Sequence, residues 1–102
     1  MFYAYILRSE RAPDHLYHGY TTDLRARLKA HNRGANDSTK AMRPWILVWY
    51  GGFATEEPAR AFEAYLKTAS GKAFARKRLL PSAASSIGIP KPLRQTKPGN
   101  SP

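Results

Sequence analysis

The chain has 102 residues, with 17 Lys and Arg against 7 Asp and Glu for a net charge of +10, and no cysteine. That length supports one modest hydrophobic core and no second one, and without cysteine neither a disulfide framework nor a thiolate metal site is available. The sequence has no apolar run of about 18 residues and no charged-then-apolar leader. It is therefore expected to be a soluble cytoplasmic protein without membrane association, whose positive charge favours polyanions through counterion release.

Tyr3 to Leu7 is an apolar, aromatic and β-branched run, and Leu16 to Thr21 is a second; both suit a pleated surface. The polar stretch Ser9 to Asp14 joins them as a hairpin connection. Alternation puts Phe2, Ala4 and Ile6 on one face of the first strand and Tyr3, Tyr5 and Leu7 on the other. Both faces are apolar, so this strand is expected at the sheet centre. In the second strand Tyr17, Gly19 and Thr21 share a face opposite Leu16, His18 and Tyr20. His18 is read as structural. A glycine inside a strand marks close approach, here read as a phosphate lying over Gly19 beside a helix N-terminus.

That helix is predicted from Asp23 to about Asn32, with Thr21 or Thr22 as N-cap and Gly34 as C-cap. Leu24, Leu28 and His31 recur on one stripe; Arg25, Lys29 and Arg33 lie away from it, and Arg27 falls at its margin. Ala35 to Met42 has turn composition and is expected to be a mobile loop carrying Lys40 towards a substrate. From Pro44, PWILVWYGGF is predicted as a third, central strand, with Trp45, Leu47 and Trp49 on one side and Ile46, Val48 and Tyr50 on the other. Thr55 caps a second helix with Glu56 and Glu57 in its first turn and Ala59, Phe62, Leu66 and Ala69 as its buried stripe.

Glu63 is the one acid in the chain after Glu57. It has two readings: an intrahelical pair with Lys67, or a hard oxygen ligand for Mg²⁺. A short basic third helix, Ser70 to about Leu80, carries Lys72, Arg76, Lys77 and Arg78. The domain is thus predicted over residues 1–80, and the Pro- and Ser-rich segment 81–102 is expected to be a disordered basic tail.

Taken in order, Tyr3-Ala4-Tyr5, Tyr17-His18-Gly19, Asp23-Leu24-Arg25-Ala26-Arg27-Leu28, Arg43-Pro44-Trp45 and the Glu63 helix resemble the GIY-YIG endonuclease pattern, closest to its small single-domain bacterial branch. The resemblance implies an α/β domain of α+β type, a small three-stranded antiparallel sheet flanked by helices. It further implies a metal-dependent endonuclease acting on DNA, branched or single-stranded forms included, in repair or recombination. Tyr5, Tyr17, Arg27 and Glu63 would be catalytic, with Glu63 holding Mg²⁺ or Mn²⁺. Gly19, Arg25, His31, Lys40, Lys67 and Lys72 would contact the nucleic acid. Location in the cytoplasm, associated with the nucleoid, would follow. The competing expectation is a nucleic-acid-binding module with little or no cleavage, or a nuclease aimed by a targeting protein.

Overall fold

The computed structural model describes residues 1–80; the predicted tail, 81–102, lies outside the described residues. Strands β1 (Phe2–Ser9) and β2 (Leu16–Thr21) lead into helix α1 (Leu24–Arg33). A 3-10 turn (Lys40–Met42), strand β3 (Trp45–Phe53) and helices α2 (Glu56–Leu66) and α3 (Ala69–Arg78) follow. The sheet is antiparallel throughout, in the order β2-β1-β3. This is the expected α+β arrangement, with β1 at the centre.

Each face of the sheet carries its own apolar cluster. On one, Ile6, Val48, Leu66, Ala75 and Leu80 are buried, with Leu16, Ile46, Trp49 and Phe62 packed against them. On the other, Tyr5, Leu7 and Trp45 are buried, joined by Tyr17, Leu24, Leu28, Leu47 and Tyr50. So α2 and α3 cover one face and α1 covers the other. Arg60 of α2 lies 4.3 Å over the Tyr20 ring and fastens that helix to β2.

Two expectations for β3 are corrected. It is an edge strand that pairs with β1 alone; helices cover both of its apolar faces, and that burial needs no second neighbouring strand. Its alternation also breaks. Ile6 pairs with Trp49 but Leu7 pairs with Leu47, which leaves Val48 as the extra residue of a β-bulge. One extra residue inverts the side-chain phase. Trp45, Leu47 and Tyr50 therefore share the tyrosine face, while Ile46 and Trp49 join Val48 on the other.

The helix ends follow local hydrogen bonding. Thr21 is still strand, and its Oγ1 accepts the Asp23 N–H at 3.0 Å. The N-cap of α1 is consequently Asp23, whose Oδ1 accepts the Ala26 N–H at 3.0 Å, rather than Thr21 or Thr22. Gly34 closes the helix in the left-handed region, φ 85°, as predicted. Thr55 stands at the N-cap of α2 without a side-chain cap bond. Helix α3 begins at Ala69 because Thr68 caps it, accepting the Gly71 N–H at 3.0 Å.

Candidate active site

Tyr5 and Gly19 are paired residues on adjacent strands, and this pairing organises the tyrosine face. A Cβ built on Gly19 would fall 2.3 Å from both Cζ and the hydroxyl of Tyr5. Gly19 is therefore needed to let the Tyr5 ring lie flat across β2. The phosphate expected over Gly19 is corrected: a phenol occupies that space.

The Tyr5 side chain is 2% exposed and reaches His31 of α1, its hydroxyl 3.0 Å from Nε2. On the far side of the imidazole, Nδ1 stands 2.9 Å from Thr39 Oγ1, which in turn donates to the Asn36 carbonyl at 3.4 Å. That last donation assigns the directions: Tyr5 O–H donates to Nε2, and Nδ1–H donates to Thr39. Burial, followed by Arg27, holds the His31 pKa below its ordinary value, which keeps the imidazole neutral. Burial also pushes the Tyr5 phenol well above its ordinary range. Tyr17 pushes the same way, Arg27 pulls back, and Glu63 adds a smaller push upwards. Tyr5 is thus held as a protonated donor. His31, 1% exposed, is packed between the tyrosines and presents no surface to nucleic acid, a further correction.

Tyr17 is the accessible phenol of the group, half-buried with its ring centroid 4.9 Å from His31 and 6.4 Å from both Tyr5 and Trp45. Arg27, on the solvent side of α1, acts electrostatically on both Tyr5 and His31. Glu63 arrives from α2, which packs on the opposite face of the sheet, yet its charge reaches Tyr5. Its carboxylate is 18% exposed and bonds the Lys67 ammonium at 2.5 Å. That bond, then electrostatic reach to Tyr17 after a counteracting burial cost, raises the Lys67 pKa.

The remaining predicted contacts disperse. Arg25 is exposed on α1. Lys40 opens the 3-10 turn and pairs with Asp37 at 3.3 Å. Its loop is not free-running, since Asn36 Oδ1 accepts from the Ser38 N–H and hydroxyl and the Trp45 indole N–H donates to the Thr39 carbonyl at 2.9 Å. Lys72 sits beside His18, on the face of β2 opposite Tyr17. Two supports went unread in the sequence. Thr39 lies in a stretch with only turn composition, and Asn32 ends a helix like many polar residues. Yet Asn32 clamps the start of β3, accepting the Trp45 N–H at 2.6 Å and donating to its carbonyl at 3.0 Å.

Among the described residues no three His, Cys, Asp or Glu side chains gather as a metal cage. The donors present fit a cation that needs few protein ligands. Mg²⁺ commonly takes one or two carboxylates and completes its shell with water and phosphate, and Glu63 offers one partly shielded carboxylate.

Among the described residues no helix is long and apolar enough to cross a membrane. The family model for the GIY-YIG catalytic domain matches residues 1–78. A UPF0213 protein of Streptococcus pneumoniae serotype 4 is 44% identical over 66 residues, 64% of this chain and 65% of its own length. Another, from Staphylococcus haemolyticus, is 38% identical over 69 residues, 67% of this chain and 82% of its own. A third, from Bacillus pumilus, is 42% identical over 67 residues, covering 65% of this chain and 66% of itself. The match thus spans just under two thirds of the pneumococcal relative. With the family model running from Met1 to the end of α3, the chain belongs to the GIY-YIG family.

Proposed function

We propose that this domain is a divalent-metal-dependent endonuclease that hydrolyses phosphodiester bonds of DNA, in repair or recombination and within the nucleoid. The observation carrying this reading is that one buried phenol, Tyr5, feels Tyr17, Arg27 and Glu63 together. A phosphate near that point meets a guanidinium, an accessible phenol and a carboxylate able to bind a cation.

In this reading Tyr17, its own phenolic proton released to solvent, orients the attacking water and takes its proton as the water oxygen bonds to phosphorus. The P–O3′ bond breaks and O3′ takes a proton from solvent water, leaving a 5′-phosphate and a 3′-hydroxyl. Arg27 stabilises the charge that builds on the phosphoryl oxygens, a contribution whose loss commonly costs on the order of 10²–10³ in rate. Tyr5 and His31 hold the Tyr17 ring in place, and Lys67 keeps the Glu63 carboxylate oriented. A cation held by Glu63 supplies Lewis-acid stabilisation of the phosphate and leaving oxygen when bound.

The test is incubation of the purified protein with nicked, branched, single-stranded and duplex DNA in Mg²⁺, Mn²⁺ or EDTA. Metal-dependent cutting that disappears in Glu63→Ala and Arg27→Ala supports the enzyme. Binding that survives both changes without any cutting supports a binding module. Cutting that appears only with added cell extract supports a nuclease aimed by a targeting protein.

A further inference from the structure

A second concave site lies on the other face of β2. A cleft of about 260 Å³ opens between β2 and α3. Buried His18 and Ala75 form its floor, and exposed Asp14, His15, Lys72 and Arg76 its rim. His18 is 8% exposed and its ring lines the cleft. Burial, then Lys72 and Lys67, hold the His18 pKa below its ordinary value, with Glu63 opposing. The ring is therefore neutral, keeps an N–H to donate, and stands in a field that Lys72 and Lys67 make positive against Glu63, one that an anion would balance.

The cleft is also continuous with the tyrosine site in charge. Lys67 acts on His18 on one side and on Tyr17 on the other, and Glu63 acts on His18 and on Tyr5. Glu63 and Lys67 are thus within electrostatic reach of both sites, so a strand running from the tyrosines towards the cleft stays in the field of Lys67.

We propose that this cleft is a second phosphate subsite, in which a backbone phosphate of the same nucleic-acid strand, flanking the one at the tyrosines, lies between Lys72 and Arg76 and accepts a hydrogen bond from His18. The proposal rests on the nucleic-acid reading above but not on cleavage. Asp14 on the rim offsets one of the two cations, so an isolated phosphate is held weakly, whereas a phosphate tethered to an already bound strand gains from effective concentration. The volume exceeds what one phosphate needs and leaves room for the adjoining sugar.

The test uses the isotopically labelled full chain in EDTA, titrated by NMR with a short oligothymidylate and, separately, with inorganic phosphate. The expected result is that the oligonucleotide moves the His18 ring and Lys72 signals at concentrations where inorganic phosphate moves neither. Combined Lys72→Ala and Arg76→Ala weakens oligonucleotide binding several-fold and lowers the log-log salt slope by about 0.7, the loss of one single-strand phosphate contact. The equal charge loss of Lys29→Ala with Arg33→Ala leaves the His18 response in place. His18→Gln, which retains a donor, binds more tightly than His18→Leu, both being confirmed folded by their amide spectra. If the oligonucleotide moves the Tyr17 and Arg27 signals but not His18 or Lys72, the subsite is refuted and the nuclease reading stands. If inorganic phosphate moves His18 as readily as the oligonucleotide, the cleft is a free-anion site and the backbone assignment is overturned. If the oligonucleotide binds nowhere on the protein, both readings fall.

Discussion

Replacing Gly19 by Ala tests the central packing relation of the tyrosine face. The added methyl would stand 2.3 Å from Tyr5 Cζ and hydroxyl and 2.8 Å from Cε2. Carbon contacts become comfortable only from about 3.5 Å, so the ring must withdraw by more than ~1 Å. An exposed tyrosine would swing aside. Tyr5 is 2% exposed and tied to His31 at 3.0 Å, so it cannot. Overpacking of this kind costs about 1–3 kcal/mol, and a buried hydrogen bond left broken costs about another 1–3. Relief of the glycine entropy penalty returns roughly 0.5–1 kcal/mol. The expected net loss is therefore about 1–5 kcal/mol, or a Tm lower by roughly 4–40 °C for a domain of this size. Urea unfolding of Gly19→Ala, Tyr5→Leu and the double variant measures it. Leucine lacks the three atoms in conflict, so the double-mutant cycle should show a coupling of at least ~1 kcal/mol in favour of the pair. Gly19→Ala as stable as the parent, or additive effects, would refute the account.

Three further outcomes are expected. Asn32→Ala removes both side-chain bonds to the Trp45 backbone and should cost about 2–3 kcal/mol by urea unfolding, since two partly buried backbone groups lose their partners. Glu63→Gln should change stability by less than ~0.5 kcal/mol, because its Lys67 partner is half exposed, while it abolishes metal-dependent cutting in the nuclease assay. For pH, His31 and His18 have lowered folded pKa values, so the unfolded chain binds more protons. Their contribution is fully present above the unfolded value near ~6.5 and is lost as pH falls from there through the folded values. The urea midpoint should drop between pH 7.5 and 5.5, and His31→Gln should flatten that drop.

Much of the fold was legible because it is written in local pattern. The two faces of β1 and β2, the Leu24–Leu28–His31 stripe and the Gly34 cap each depend on residues within a few positions of one another. The β3 phase was not legible, since a bulge at Val48 has no signature of its own and is fixed by pairing with Ile6 and Leu7 some forty residues earlier. The site divides the same way. Tyr5, Tyr17, Arg27 and Glu63 could be named as candidates from motif order. What Tyr5 does could not, because its protonation depends on burial and on a His31–Thr39 chain closed by a loop. Gly19 was rightly flagged as a place of close approach, but the approaching group came from the neighbouring strand.

The bulge in β3 also governs how that strand tolerates change. Before Val48, odd-numbered positions look towards the phenols; after it, even-numbered positions do. Deleting Val48 would restore regular alternation with Leu47 still opposite Leu7 and Trp49 still opposite Ile6, so every other residue of the strand keeps the face it has. The bulge is thus a point where the strand can lose one residue without turning either half over, and what such a deletion removes is the buried Val48 side chain itself.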